Sequence, residues 1–181
     1  AGKHLLELGH RHFLYLPGPK YNLSQTRRYA GIMDALSEAN VPASNIREID
    51  YHTVFGSSAE STSSYKPYEE LFFPVNYTAV IGFNDLQSYS AMEILQKKGY
   101  RIPEDISLIS FDHLRKTHTY LPPLTSITDN SEKSIADTAV SILLDKIRNP
   151  SSEISSEVLP VSIFDDHTTG PINETFAHSF E

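Results

Sequence analysis

Short apolar runs alternating with amphipathic stretches set the rhythm of this chain. Residues 12–16, 78–83 and 106–111 are dense in β-branched, aromatic or leucine side chains and too short for helices, which predicts strands, and 46–50 is a weaker run of the same kind. Between them the apolar positions change period. Tyr29, Ile32, Met33, Leu36 and Ala39 form one helical stripe, and Leu86, Tyr89, Met92, Ile94 and Leu95 form another that Gly99 stops. Lys3 to Leu8 predicts a first short helix ended by Gly9, and Tyr65 to Phe73 another after the Ser/Thr/Gly-rich residues 53–64. Strand, helix, strand alternation of this kind predicts an α/β fold, a parallel sheet with helices on both faces.

Beyond residue 112 the pattern loosens. Leu121-Pro-Pro123 forces an extended path, Leu124 to Ile127 reads as a strand, and Ser131 opens a helix with Ile135, Ala139, Ile142, Leu143 and Ile147 on one face. That strand and helix find little else to pack on, so the 125–148 segment is expected to stand off the main sheet. The chain returns through 158–164, and residues 165–181, mostly polar, are expected to run over the surface or fray.

The polar residues that matter follow the strands. Asn84 and Asp112 each come directly after the last apolar residue of a run, 28 residues apart. At the carboxyl edge of an open parallel sheet such side chains face the ligand crevice. Arg28 is expected in the first turn of its helix, where the helix dipole does not favour a cation, so it meets either solvent or something in the crevice. An arginine, an asparagine and an aspartate suit a polyhydroxylated ligand: the carboxylate accepts from hydroxyls while guanidinium and amide donate.

Other chemistries find no support. There is no G-x-S-x-G elbow, dinucleotide glycine motif or phosphate loop, and Asp112 and His113 are adjacent, which makes their side chains diverge; no enzyme is expected. Eight histidines without a cysteine or metal-ligand spacing argue against a metal or other cofactor. A net charge of −8 and the lack of a basic patch argue against direct grip on DNA. With no apolar run long enough to span a membrane, a soluble cytoplasmic protein is expected.

Three stretches in order carry a resemblance: the Asn84-Asp85 pair after a hydrophobic strand, KKGYRIPEDISLISFDH at 97–113, and YLPPLTSI at 120–127. Together they resemble the effector-binding core of LacI/GalR-type transcription repressors, which is similar to periplasmic sugar-binding proteins. The resemblance implies a periplasmic-binding-protein-like type I fold. Residues 1–122 would be most of the C-terminal subdomain, 123–149 a strand and helix crossing into the N-terminal subdomain, and 150–181 the return strand and tail. LLELGHRHFLYLPGP at 5–19 resembles the opening of the second half of that core, so an N-terminal headpiece that binds operator DNA, and most of the first subdomain, are expected upstream.

The resemblance also implies roles. Arg28, Asn84 and Asp112 would clamp a small effector, a mono- or disaccharide; a surface or ion-paired arginine is the other reading of Arg28. Asn22 and Ser24 would line the same pocket, or serve as loop and helix cap. Tyr51 would cover a ring's apolar face, or be an edge aromatic. The segment 113–120 would meet a partner subunit in a homodimer, with Thr119 and Tyr120 nearest the axis, or be a mobile surface loop. A free periplasmic-type sugar-binding protein is the alternative function.

Overall fold

The computed structural model describes residues 1–19, 21–49, 68–129, 134–153 and 156–178. Its centre is a six-stranded sheet of β1 (Phe13–Leu16), β2 (Ile46–Glu48), β3 (Ala79–Gly82), β4 (Ser107–Phe111), β5 (Thr125–Asp129) and β6 (Val161–Phe164). The spatial order is β2-β1-β3-β4-β5-β6. The first four runs pair in parallel, as their alternation with helices predicts.

The three central strands are buried on both faces, so their side chains divide between two cores. Phe13, Tyr15, Ala79, Ile81 and Ile109 pack with Leu5 of helix α1 (Gly2–Glu7) and with Ile32 and Leu36 of α2 (Leu23–Glu38). Leu14, Leu16, Val80 and Leu108 pack on the other side with Ala91, Met92, Ile94 and Leu95 of α3 (Asp85–Lys97). A strand with two apolar faces reads as a continuous apolar run instead of an alternation, which is why these segments were legible.

The expectation for 125–148 needs correcting. β5 does not stand off the sheet: it pairs in parallel with β4, with Ile109 opposite Thr125, Ser110 opposite Ser126 and Phe111 opposite Ile127. The extended path through Pro122 and Pro123 lays the chain back beside β4, and the small side chains of Thr125 and Ser126 fit there fully buried. β6 adds antiparallel to β5. Helix α4 (Ile135–Arg148) does keep its apolar stripe uncovered among the described residues, with Ile135, Val140, Leu143, Leu144 and Ile147 all 44–65% exposed. A capping box between Ser134 and Asp137 starts this helix, and Ser131, the expected start, lies outside the described residues.

The tail also departs from expectation, because its backbone meets polar groups inside the sheet. Thr168 is buried and lies along the part of β4 that precedes the β5 pairing: the Leu108 N–H donates to Thr168 O (2.7 Å), and the Thr168 hydroxyl donates to Leu108 O (2.7 Å). That same hydroxyl accepts from the Thr125 N–H at 2.8 Å. Further on, the Gly170 N–H donates to Ser107 Oγ (3.0 Å) and the Ile172 N–H to Leu8 O (2.9 Å). Ile172 lies against Gly9, whose φ of +94° and lack of a side chain make the close approach possible. The chain ends its described course in the short helix α5 (Glu174–Ala177), capped by Asn173.

His10, 2% exposed, closes this arrangement. Gly170 O can only accept, so Nε2 carries the proton toward it (3.0 Å), and Nδ1 accepts from the Thr78 hydroxyl at 2.9 Å. Burial holds the imidazole neutral down to a pKa of about 4. The unfolded chain takes up this proton near pH 6.5, so stability present above that value is lost as pH falls toward about 4, at about 1.4 kcal/mol per unit. Urea denaturation should therefore show about 2 kcal/mol less stability at about pH 5 than at about pH 7 from this group, and His10→Asn should remove that part of the slope.

Candidate functional site

Strands β1, β3 and β4 end at one edge of the sheet, and the loops leaving them are tied together. The Pro17-Gly18-Pro19 turn after β1 is held by two buried glutamines. Gln25 Oε1 accepts from the Gly18 N–H (2.7 Å) and from the Tyr15 hydroxyl (2.8 Å), and Gln87 Nε2 donates to Pro17 O (2.9 Å). Gly18 lies flat on Phe83, where an added Cβ would come 2.5 Å from a ring carbon. Neither glutamine stood out in the sequence; a polar residue at the buried face of each helix stripe was the available signal.

Arg28 reaches across this edge. One of its guanidinium nitrogens donates to Phe83 O and another to Asp112 Oδ1 at 2.8 Å. Its Cζ lies 4.8 Å from the Phe83 ring centroid and 4.6 Å from that of Phe111, so the cation rests on the aromatic that follows β3 and the one that ends β4. Because α2 begins at Leu23, Arg28 sits in the second turn, not the first, and the dipole at the helix start does not act on it as expected. The residues that bring it to the crevice are Phe83 and Phe111, each directly before a predicted site residue.

Asn84 and Asp112 flank that arginine in different ways. Asn84 caps α3, its side-chain oxygen accepting from the Gln87 N–H at 3.0 Å; its amide nitrogen is the group this leaves for donation. Asp112 is half-exposed, with φ of +98°, and His113 follows at +51°. Two successive left-handed residues with side chains cost about 1–3 kcal/mol each, a strain that persists only where surrounding bonds impose it. His113 is buried against the Phe164 ring, 3.9 Å between centroids.

The remaining expected residues divide. Asn22 is the N-cap of α2, accepting from Ser24 N–H (2.8 Å) and Gln25 N–H (3.3 Å), and Ser24 is the second residue of the helix, not part of the loop; both are exposed. Asn22 and Asn84 do meet, with Pro19, Phe83, Leu86 and Gln87, around a cavity of about 280 Å³. Tyr51 lies outside the described residues. Thr119 and Tyr120 are exposed, Tyr120 at 81%, and follow the short 3-10 turn Leu114–Lys116 that comes after Asp112.

An open, mostly parallel sheet presenting a cation, a carboxylate and an amide at its carboxyl edge is the architecture of a small-ligand binding domain. The chain belongs to the periplasmic binding protein-like domain family, whose profile matches residues 3–169. It is 35% identical over 164 residues to the HTH-type transcriptional repressor PurR of Escherichia coli, an alignment that covers 88% of this chain and 46% of the repressor. It is 33% identical over 148 residues to PurR of Mannheimia succiniciproducens, covering 81% of this chain and 42% of that protein. This chain therefore spans less than half the length of these curated relatives. Among solved structures it is similar to a dimeric Lac repressor with a C-terminal deletion, at 27% identity and a TM-score of 0.73, covering 94% of this chain and 59% of that one.

Proposed function

We propose that the chain is the effector-binding and dimerisation part of a LacI/GalR-type repressor and that its effector is a mono- or disaccharide. The observation that carries this reading is the Arg28–Asp112 pair, framed by Asn84, at the carboxyl edge of the sheet. A sugar has adjacent hydroxyls that donate to a carboxylate and accept from a guanidinium and an amide, so one ring can bridge all three. The two phenylalanines hold the arginine in place before the ligand arrives, which lowers the cost of ordering it. Asn22, Ser24 and Tyr51 are the further pocket residues in this reading. The role is binding, with no catalytic step and no cofactor.

The uncovered stripe of α4 supports a division in which 123–149 reaches another subdomain through its helix alone, while β5 stays in the sheet built by 1–122 and 150–181. The exposed side chains of Thr119 and Tyr120 support a homodimer contact by 113–120 together with α3. DNA would be reached through an N-terminal headpiece, and the protein would act in the cytoplasm; among the described residues no helix is long and apolar enough to cross a membrane. Similarity to two repressors favours this reading over a free sugar-binding protein.

Calorimetric titration of the intact regulator with D-ribose, D-xylose, D-glucose, D-galactose and cellobiose tests the proposal. At least one sugar should bind saturably and change the affinity for operator DNA, by the reciprocity of linked equilibria. Heats of dilution alone across the panel would count against a saccharide effector.

A further inference from the structure

The strained corner that carries Asp112 is held from beneath by a buried carboxylate. Three successive backbone N–H groups at the end of β4 are engaged: Asp112 donates to Ile127 O (3.0 Å), His113 to Ser126 Oγ (3.0 Å) and Leu114 to Asp85 Oδ2 (2.6 Å). The Ser126 hydroxyl in turn donates to Asp85 Oδ1 at 2.8 Å. Asp85 thus gathers the corner twice, once directly and once through Ser126. It is 1% exposed and is the first residue of α3, where the unpaired N–H groups of the helix favour a negative charge. Successive N–H groups converging on an anion stabilise a backbone that side chains otherwise disfavour.

We propose that Asp85 is a positioning residue for the effector clamp: it does not touch the effector but fixes the left-handed turn that aims Asp112 at Arg28. The proposal rests on the reading that Asp112 binds the effector. Replacement by the isosteric amide breaks the arrangement in a defined way. The NH₂ of Asn would face either the Leu114 N–H, donor against donor, or Ser126 Oγ, whose own hydroxyl would then lose its buried acceptor. Either choice releases part of the corner while leaving the apolar core as it is.

The test uses the intact regulator, amide hydrogen exchange at His113 and Leu114, thermal melting, and titration with whichever of the five sugars binds the wild type most tightly. Asp85→Asn should speed exchange of the Leu114 amide at least tenfold and weaken the sugar at least tenfold. On an Asp112→Asn background the same substitution should weaken it by less than twofold, because the residue it positions has already been altered. Ser126→Ala, which keeps the charge and cuts only the relay, should speed exchange at His113 and weaken the sugar at least threefold; it carries the test if Asp85→Asn does not fold. Equal weakening on both backgrounds, or faster exchange with undiminished binding, overturns the proposal. If Asp112→Asn binds as tightly as wild type, the clamp reading falls and takes the proposal with it. If Asp112→Asn weakens binding and Asp85→Asn does not, only the proposal falls.

Discussion

Asp112→Ala should weaken the effector by about 2–5 kcal/mol while leaving the fold close to intact. In the proposed clamp the carboxylate would be the group that accepts from two ligand hydroxyls, and removing it would also leave part of the Arg28 charge uncompensated in the ligand-filled site. Arg28 itself stays in place, because Phe83 O and the two aromatic rings still hold it. The free protein loses little, since the ion pair is partly solvated, with side chains 23% and 44% exposed, and such pairs contribute about 0–1 kcal/mol. The left-handed backbone supplies a control. At φ of +98° alanine is strained and glycine is not, so Asp112→Gly should lose the effector equally and yet unfold at higher denaturant than Asp112→Ala. Calorimetry and urea denaturation of the two variants measure both quantities. Equal stabilities would mean that the positive φ carries no strain.

The largest effect on the folded chain itself is expected far from the crevice, at Thr168→Val. The substitution keeps the shape and removes one hydroxyl, which accepts from the Thr125 N–H and donates to Leu108 O. Both partners belong to buried stretches of β4 and β5, where water cannot replace the lost oxygen. Each of the two buried groups left unpaired costs about 1–3 kcal/mol, so about 2–6 kcal/mol in total is expected, a large part of the stability of a domain this size. The slope of the urea transition should stay constant, because the surface exposed on unfolding is unchanged. A loss under about 0.5 kcal/mol would show that the tail does not brace the sheet.

What could be read from the chain beforehand divides along a physical line. The runs at 12–16, 78–83 and 106–111 were legible because a strand covered on both faces must be apolar throughout, and α2 and α3 because each buries one stripe. Asn84 and Asp112 were legible by the same logic, as the first polar residues after such strands. The misplaced parts rest on polar contacts that leave no period. β5 begins with Thr125 and Ser126, small hydroxyl residues buried by their bonds to Asp165 and Asp85, so no apolar count marks it as part of the sheet. The tail is anchored through Thr168, Gly170 and His10, and a composition that looks solvent-exposed is in fact an inventory of partners for buried hydroxyls. The apolar stripe alone puts Arg28 one turn too early in its helix, because Asn22, not a later residue, caps α2.

One measurement addresses the central claim most directly: the structure of the intact regulator with the sugar that binds it. The account predicts one sugar ring at the carboxyl edge of the sheet, with hydroxyl oxygens within about 3.2 Å of the Asp112 carboxylate, the Arg28 guanidinium and the Asn84 amide at once. A sugar seated elsewhere, for example in the roughly 660 Å³ groove between α3 and the Pro122-Pro123 turn, with the Arg28–Asp112 pair unaltered, would contradict it.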